Sequence, residues 1–516
     1  MPVRMLQCLA LLLSLCLLAG CAAPAADSPE EPVPTEPVQQ ASEEQPQEEP
    51  QAFVLPYEPD AGFNPFSCTA LTNRTLLSLV YEPLFAVSSD FRAAPYLVER
   101  YEVSGDGRTH TLTLREGASF SDGSAVTAAD AAASIQAARN GSYYAQRLRH
   151  ITAVTASSDT VLTISTDAAC GTLDLLLNIP VVKAASAASG IPVGTGPYRL
   201  EQDRLTRVSW WRDAVPPVNQ ETIDLLATAS ATELRDRFEF GQVSLACTDP
   251  NAGQRVAYHS DFELWNNNTT IMQYVGFNLA SPVFVYEPIR AALTYAIDRD
   301  AIVADTAGGF AAAAVLPASP ASPFYDQKLA DNYAYNPAAF QAALAASEIG
   351  DLSGNDGVLD LYTKDGTQAL TGTMIVNGSS EQRVAAAQAV VDSLNAFGFS
   401  LTLKVLDAAE YTRALQNGSF DLYYGEVRLS PNFDLSPFFQ EGGSLSYGGI
   451  ADSAVELLCS RMLENGGNAY DLHDRIMARG LLCPVLFKTY AIFSARGMVA
   501  NLSTCLDGVF LTPMPS

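Results

Sequence analysis

Alternation of apolar and polar positions is the first regularity along this chain. In Glu102–Leu114 (EVSGDGRTHTLTL), Leu112 and Leu114 alternate with Thr111 and Thr113, and Ser104-Gly105-Asp106-Gly107 has turn composition. Together they predict a β-hairpin. A second alternating strand is expected within Ser157–Thr166. Thr127-Ala-Ala-Asp130 has the form of a capping box and predicts a helix through Ala138. Helical periodicity returns at Ala231–Phe240, which stops at Gly241 and leads into a short strand, Val243–Cys247. It returns again at Pro288–Ile302 and at Glu381–Phe397. In the last of these, Val384, Ala387, Val391 and Leu394 share one face and Gly398 ends the run. Phe399, Leu401, Leu403 and Val405 then alternate as a strand. Helix followed by strand, repeated, predicts α/β lobes whose sheets are covered by helices.

The first residues follow a different logic. Arg4 precedes an apolar stretch from Met5 to Leu18, too short to span a bilayer as a helix and matching a secretory signal over residues 1–20. Leu18-Ala19-Gly20-Cys21 resembles a bacterial lipobox, which implies lipidation of Cys21. Residues 21–52 then consist largely of Ala, Pro, Glu, Gln and Ser, with Asp27, Glu30, Glu31, Glu36, Glu43, Glu44, Glu48 and Glu49 and no basic residue. Such a segment lacks the apolar surface to order itself and reads as an extended tether.

Composition narrows the function. The chain has 516 residues, 48% of them hydrophobic, with 57 acidic against 30 basic side chains and a net charge of −27. At ~150 residues per domain this length suggests two to four domains, with ample material for a core. The charge argues against a nucleic-acid partner, and the Lys and Arg residues form no concentrated patch. Beyond the first 21 residues, Cys68, Cys170, Cys247, Cys459, Cys483 and Cys505 are widely spaced without a CxxC, so buried thiols and disulfides both stay open. His110, His150, His259 and His473 have no metal-ligand spacing; His473, between Asp471 and Asp474, is expected on a surface helix. No nucleophile elbow, HExxH or Cys–His arrangement suggests an enzyme.

Five segments, in order, resemble one family. In Pro95–Gln136 the residues Asp106, Gly107, Leu114, Arg115, Gly117, Phe120, Asp122, Gly123, Thr127, Ala128 and Asp130 fit its pattern of a "DG" turn, "LR-x-G-x-x-F-x-DG" and "TA-x-D". Gly194-Thr-Gly-Pro-Tyr198 is similar to its "GTGPY". Phe277-Asn278 followed by Ile289-Arg290, Ala292-Leu293 and Ala296-Ile297-Asp298-Arg299 is a third match. Tyr335-Asn336-Pro337 is a fourth, and Phe420–Phe439 a fifth. The family is that of the family 5 extracellular solute-binding proteins, the oligopeptide-, dipeptide- and nickel-binding components of bacterial ABC importers. Most matched residues look structural. Gly123, Gly194 and Gly196 suit turns or close backbone approach, and Arg290 and Asp298-Arg299 suit the fixing of a helix end.

The resemblance implies a two-lobed α/β fold of the type II periplasmic-binding kind, in its large peptide-binding subclass, with a hinge-closed cleft. Lobe I is expected from 53–86, 187–267 and 490–516, its extra subdomain from 87–186, and lobe II from 268–489. The crossings are expected near Trp265–Thr270 and Lys488–Phe493. The implied partners are a peptide or peptide-like solute, an ABC permease with its ATPase, and the membrane, reached through the lipid. The expected molecule is an extracytoplasmic monomer without cofactor or metal, held at the outer face of the cytoplasmic membrane. A sensor for a signalling peptide, or a receptor for a sugar, opine or metal chelate, is the alternative on the same scaffold.

Peptide-binding members hold the ligand backbone like an added strand. Tyr57–Phe66, with Asn64 and Phe66, and Tyr423–Arg428, with Tyr424, Gly425, Glu426, Val427 and Arg428, are expected to supply that edge. Here the sequence departs from the family. Its "GW" tryptophan is absent, with Glu426 or Val427 in that place, and Leu429 or Ser430 stands where peptide binders carry an aspartate for the α-amino group. Two readings stay open. Glu426 takes an ammonium and Arg428 a carboxylate, or the two charges serve salt bridges within the protein.

Overall fold

The computed structural model describes residues 52–211, 218–347, 349–351, 356–364, 366–464, 468–499, 502 and 505–511. The expected signal, Cys21 and nearly all of the tether lie outside them. From residue 52 onward the chain forms one compact unit.

Near its beginning, Val54–Tyr57 pairs in parallel with Thr222–Ala227, and Arg204–Arg207 and Tyr198–Glu201 complete a four-stranded sheet. The expected hairpin is present as Val98–Val103 and Thr109–Leu114. It joins Val161–Thr166 and Ile151–Ala156 in a second four-stranded, antiparallel sheet. Helix Ala128–Asn140 covers that sheet, and its capping box is complete: the Thr127 side chain accepts from Asp130 N–H and Asp130 accepts from Thr127 N–H. These elements share one apolar core, which runs from Phe53 through Leu112, Ile135 and Leu162 to Ile223.

The largest sheet has seven strands. Leu245–Thr248, Cys483–Ala495, Phe262–Phe277, Leu422–Arg428, Thr371–Asn377 and Ser400–Leu406 lie side by side in that order, and Ala311–Ala313 also pairs with Cys483–Ala495. Helix Glu381–Ala396 provides the crossover between the parallel strands Thr371–Asn377 and Ser400–Leu406, burying Ala387, Val391 and Leu394. Two strands of this sheet are unusually long, and they link separate cores. Trp265 and Ile492 pack in the first core, whereas Val275, Phe277, Cys483 and Val485 lie in another, built around helix Glu381–Ala396. The two strands pair antiparallel, with a register shift between Asn268 and Met272. A threonine bridges the bulge, Thr269 Oγ1 donating to Lys488 O at 2.7 Å, and on the other side of the strand Thr270 Oγ1 donates to Leu429 O at 2.6 Å.

Several local expectations change. Pro288–Ile302 is not one helix. It divides into Glu287–Ala292, a 3₁₀ turn Leu293–Ala296, and Arg299–Ile302, with Ile297 extended between them. Asp298 caps the restarted helix by accepting from Ala301 N–H, and the Arg299 guanidinium takes up carbonyls at the break, Thr294 O at 3.0 Å and Ile297 O at 3.3 Å, while its Nε donates to Pro484 O on strand Cys483–Ala495 at 2.7 Å. Val405 is exposed, because the alternation breaks at the end of Ser400–Leu406 and Leu406 turns inward in its place. His473 is fully buried, not at the surface. Helical spacing puts it beside Leu472, Ile476 and Met477 on the inner face of Tyr470–Ala478, and burial pushes its pKa down to about 3, so the ring is neutral. All six cysteines outside the leader are free, buried thiols.

Gly194 and Gly196 serve close approach. A Cβ at Gly194 would sit 2.1 Å from Val80 O, and one at Gly196 2.4 Å from Leu79 O. Arg290 is buried with its guanidinium on backbone carbonyls, Phe284 O at 2.7 Å, Val285 O at 2.9 Å and Gly480 O at 3.1 Å. Replacing it with leucine strands those carbonyls, and we expect urea unfolding to show a loss of about 2–4 kcal/mol. An unchanged unfolding midpoint contradicts this role.

Candidate functional site

Basic and aromatic side chains converge where the first core meets the end of the long strands. Arg74 comes from helix Leu71–Leu77, and Tyr143, Tyr144 and Arg147 from the turn that follows helix Ala128–Asn140. Arg428 is the last residue of its strand, and Tyr490 lies on Cys483–Ala495. Asp507 sits in a tight turn near the end of the chain with φ 62°, a left-handed conformation that aspartate tolerates better than most residues.

Asp507 organises the group. Its Oδ2 accepts from Arg147 Nη2 at 3.0 Å, its Oδ1 from the Tyr143 hydroxyl, and Arg74 Nη2 approaches to 4.0 Å. Burial would raise its pKa, but Arg147, Arg74 and Arg428, with the Tyr143 hydrogen bond, outweigh that and hold it at about 2. Arg74 stacks on the Tyr143 ring at 3.5 Å from its centroid and donates to the Tyr144 hydroxyl at 3.0 Å. Arg428 donates to the Tyr490 hydroxyl at 2.6 Å and lies 5.6 Å from the Tyr143 centroid.

A small, partly open cavity lies beside this cluster, lined by Arg74, Tyr143, Asn267, Arg428, Tyr490 and Asp507 among others. Its walls come from sequence positions more than 400 residues apart.

Of the residues expected at a ligand, Arg428 is in this lining. The others have identifiable roles elsewhere. Glu426 accepts from Arg383 at 2.7 Å and from Gln273 at 2.8 Å, with Lys488 3.5 Å away; Lys488 in turn meets Asp249 at 2.5 Å. Burial raises the Glu426 pKa and the two cations more than reverse it, so this carboxylate is held charged by protein partners. Tyr424 is buried with its hydroxyl on Gln273 Oε1 at 3.0 Å. A Cβ at Gly425 would lie 2.6 Å from Tyr274 Cζ, so this glycine makes room for a protein ring. Val427 packs against an apolar core. Asn64 Nδ2 ties down the carbonyls of Ala187 and Ser189, and the Phe66 ring meets Tyr144 edge-on at 6.5 Å. Sequence reasoning missed Arg74, Tyr143, Arg147, Tyr490 and Asp507; the Asp507-Gly508 pair is the one local signal, a turn composition.

Asp507 has a folded pKa below the ~3.9 of an unfolded aspartate, so its contribution is complete above about pH 4 and is lost as pH falls toward 2. Asp507→Asn leaves buried guanidiniums unbalanced. At pH 7 we expect it to cost about 3–5 kcal/mol in denaturant unfolding, with a smaller loss of stability than wild type between pH 4 and 2. Parallel acid profiles for the two proteins contradict the assignment.

The family model for "Bacterial extracellular solute-binding proteins, family 5 Middle" matches residues 92–445. The glutathione-binding protein GsiB of Salmonella typhi is 26% identical over 281 residues, covering 50% of this chain and 54% of that protein. GsiB of Escherichia coli strain K12 is 25% identical over 278 residues, with the same coverage. The chain thus spans about half the length of the curated relatives it matches. Among solved structures, NikA from Brucella suis with Fe(III)-EDTA superposes with a TM-score of 0.69 at 19% identity, over 89% of this chain and 100% of that one. The oligopeptide-binding protein AppA from Bacillus subtilis, with a nonapeptide, gives 0.58 at 17% identity over 86% and 94%. HbpA2 from Haemophilus parasuis gives 0.70 at 17% identity over 86% and 96%. These superpositions show the two-lobed type II periplasmic-binding fold, and the matched segment makes this chain a member of the family 5 bacterial extracellular solute-binding proteins.

Proposed function

We propose that this protein is the solute-binding component of an ABC importer, taking up a small peptide or peptide-like solute in the cavity beside Asp507. The carrying observation is a cavity walled by charged and aromatic side chains from the turn after helix Ala128–Asn140, helix Leu71–Leu77, the two long strands, the end of strand Leu422–Arg428 and the turn Cys505–Gly508, on a chain of this family. A solute there touches both sides of the crossing and favours a closed arrangement over an open one. That differential affinity is what a permease reads. In this reading the lobes divide as the sequence implies, 53–86, 187–267 and 490–516 forming lobe I around the subdomain 87–186, and 268–489 forming lobe II. The bulge at Asn268–Met272 supplies the bend between them.

A strand edge supports peptide capture. Leu422–Arg428 pairs along its whole length with Phe262–Phe277, but on its other side Thr371–Asn377 pairs only as far as Tyr424. Among the described residues Gly425–Arg428 therefore has one ladder neighbour, and a peptide main chain fits the free side. GsiB, related in sequence over about half of this chain, is named for glutathione, a tripeptide, whereas AppA, which holds a nonapeptide, is similar in fold; the sequence relative favours a short solute.

Cys21 completes the proposal as a lipid anchor at the outer face of the cytoplasmic membrane, with residues 22–52 as a spacer that lets the receptor reach its permease. One acyl chain binds only marginally, whereas the two or three of a lipoprotein hold stably.

Two measurements test this reading. Pools of di- and tripeptides at about 100 times Kd are expected to stabilise the chain by about 2.7 kcal/mol in thermal unfolding, with nonapeptide pools giving no shift; the reverse order rejects the small-solute assignment. On cell fractionation the wild-type chain is expected with membranes and Cys21→Ala in the soluble fraction. Membrane retention of Cys21→Ala rejects the lipid anchor.

A further inference from the structure

We infer that the solute is a small anion that also carries at least one N–H or O–H. This rests on reading the cavity beside Asp507 as the solute site, and it follows from counting which charges there are already answered.

Three guanidiniums, Arg74, Arg147 and Arg428, converge on a single carboxylate. Asp507 is a poor partner for a solute ammonium: each oxygen already accepts from a protein donor, Tyr143 on one and Arg147 on the other, and its single charge is outnumbered by the surrounding guanidiniums. Arg74 spends its donors on the Tyr144 hydroxyl and on Pro65 O and Cys68 O, so its position is fixed while its charge is balanced only at 4.0 Å. Arg428 is the open member. Among the described residues it has no carboxylate within salt-bridge distance, and its hydrogen bond goes to a neutral phenol, Tyr490. Because that hydroxyl accepts from Arg428, its own proton is free to donate in turn.

The strand geometry sharpens the contrast. Glu426 and Arg428 project from the same face, two residues apart, yet Glu426 is answered by Arg383 and Lys488. It cannot also neutralise Arg428. The cavity therefore presents a guanidinium fork, a phenol proton and an uncompensated positive field, which match the planar oxygens of carboxylates or the oxygens of a phosphoryl group. Asn267 adds the complement. It is 3% exposed, lines the cavity, and its amide oxygen has no hydrogen-bond partner among the described residues. A buried acceptor of this kind calls for a donor, which the solute's N–H or O–H provides.

The test is thermal shift and titration of the full chain with five probes: glutathione, citrate, inorganic phosphate, the C-terminal amide of trialanine, and glucose. We expect glutathione, citrate or phosphate to raise Tm and the amide and glucose to leave it unchanged. A response to glutathione or citrate without phosphate identifies carboxylates as the recognised groups; a response to phosphate alone identifies phosphoryl oxygens. Arg428→Gln is expected to weaken the anion by about 100-fold, and Arg428→Lys, which keeps the charge and loses the fork, to recover to within about 10-fold of wild type. Circular dichroism without solute checks that both variants fold. Tighter binding of the amide or glucose than of any anion, or an Arg428→Gln affinity equal to wild type, overturns the anion assignment and leaves the receptor reading standing. If no probe shifts Tm, native mass spectrometry of the chain from its producing cell decides. A released anion upholds the inference, a neutral or cationic molecule overturns it, and an empty protein overturns both it and the receptor reading.

Discussion

Bringing three guanidiniums to one point, two of them buried, is unfavourable by their mutual repulsion and by the water the buried pair gives up. In this protein a single carboxylate makes the arrangement possible. Asp507 receives Arg147 and Tyr143 directly, stands 4.0 Å from Arg74, and shares the cavity wall with Arg428. Its place depends on the turn Cys505–Gly508, which the body of the protein grips through main-chain atoms. Leu506 N–H donates to Val87 O, Asn178 donates to Leu506 O, and Asn267 donates to Cys505 O. The turn therefore ties together the first core, the crossing strand and the charged cluster. The positive φ of Asp507 is the conformational cost of aiming its carboxylate inward.

The crossing strands set the second constraint. Phe262–Phe277 and Cys483–Ala495 are shared by cores that otherwise have little in common, so any relative movement of those cores concentrates where the ladder is weakest. That place is the bulge after Asn268, where the Thr269 hydroxyl takes the Lys488 carbonyl across the gap and Thr270 holds Leu429 O on the other side. Hydroxyl side chains satisfy the backbone over a wider range of geometry than a ladder does, which suits the hinge role proposed for this segment. Asn267 and Tyr490, on the two strands at this level, also line the cavity. The proposed solute contact and the proposed chain crossing thus occupy the same few residues.

Much of the fold was legible because its signals are local. The capping box at Thr127–Asp130, the hairpin turn at Ser104–Gly107 and the glycine stop after helix Glu381–Ala396 each depend on residues a few positions apart. Where tertiary contacts dominate, local pattern misled. Pro288–Ile302 has helical periodicity, yet Arg299 offers its own hydrogen bonds to carbonyls that a continuous helix would have used, and the break at Ile297 follows. His473 between two aspartates looks like a surface residue until the neighbouring Leu472, Ile476 and Met477 assign the face. The cavity was the least legible part. Arg74, Tyr143, Tyr490 and Asp507 are separated by tens to hundreds of residues, and no spacing rule connects them; the family likeness pointed to the strand around Gly425, from which Arg428 alone reaches the cavity.

The difference between Glu426 and Arg428 shows why residue type and position on a strand do not decide a role. Both are charged, both alternate onto one face, and both lie in the stretch where the sequence departs from the family pattern. Glu426 lies over the body of the sheet, where Arg383 from the crossover helix and Lys488 from the crossing strand are within reach, so its charge is consumed by the fold. Arg428 is the last residue of its strand, past the point where Thr371–Asn377 stops pairing, and what it meets are tyrosines. A guanidinium among phenols is well oriented without being neutralised, because ring faces and hydroxyls hold its plane while contributing no full negative charge. An orientation fixed in advance with the charge still unspent is what makes a side chain a recognition element rather than a structural one. In this cavity that condition is met by Arg428.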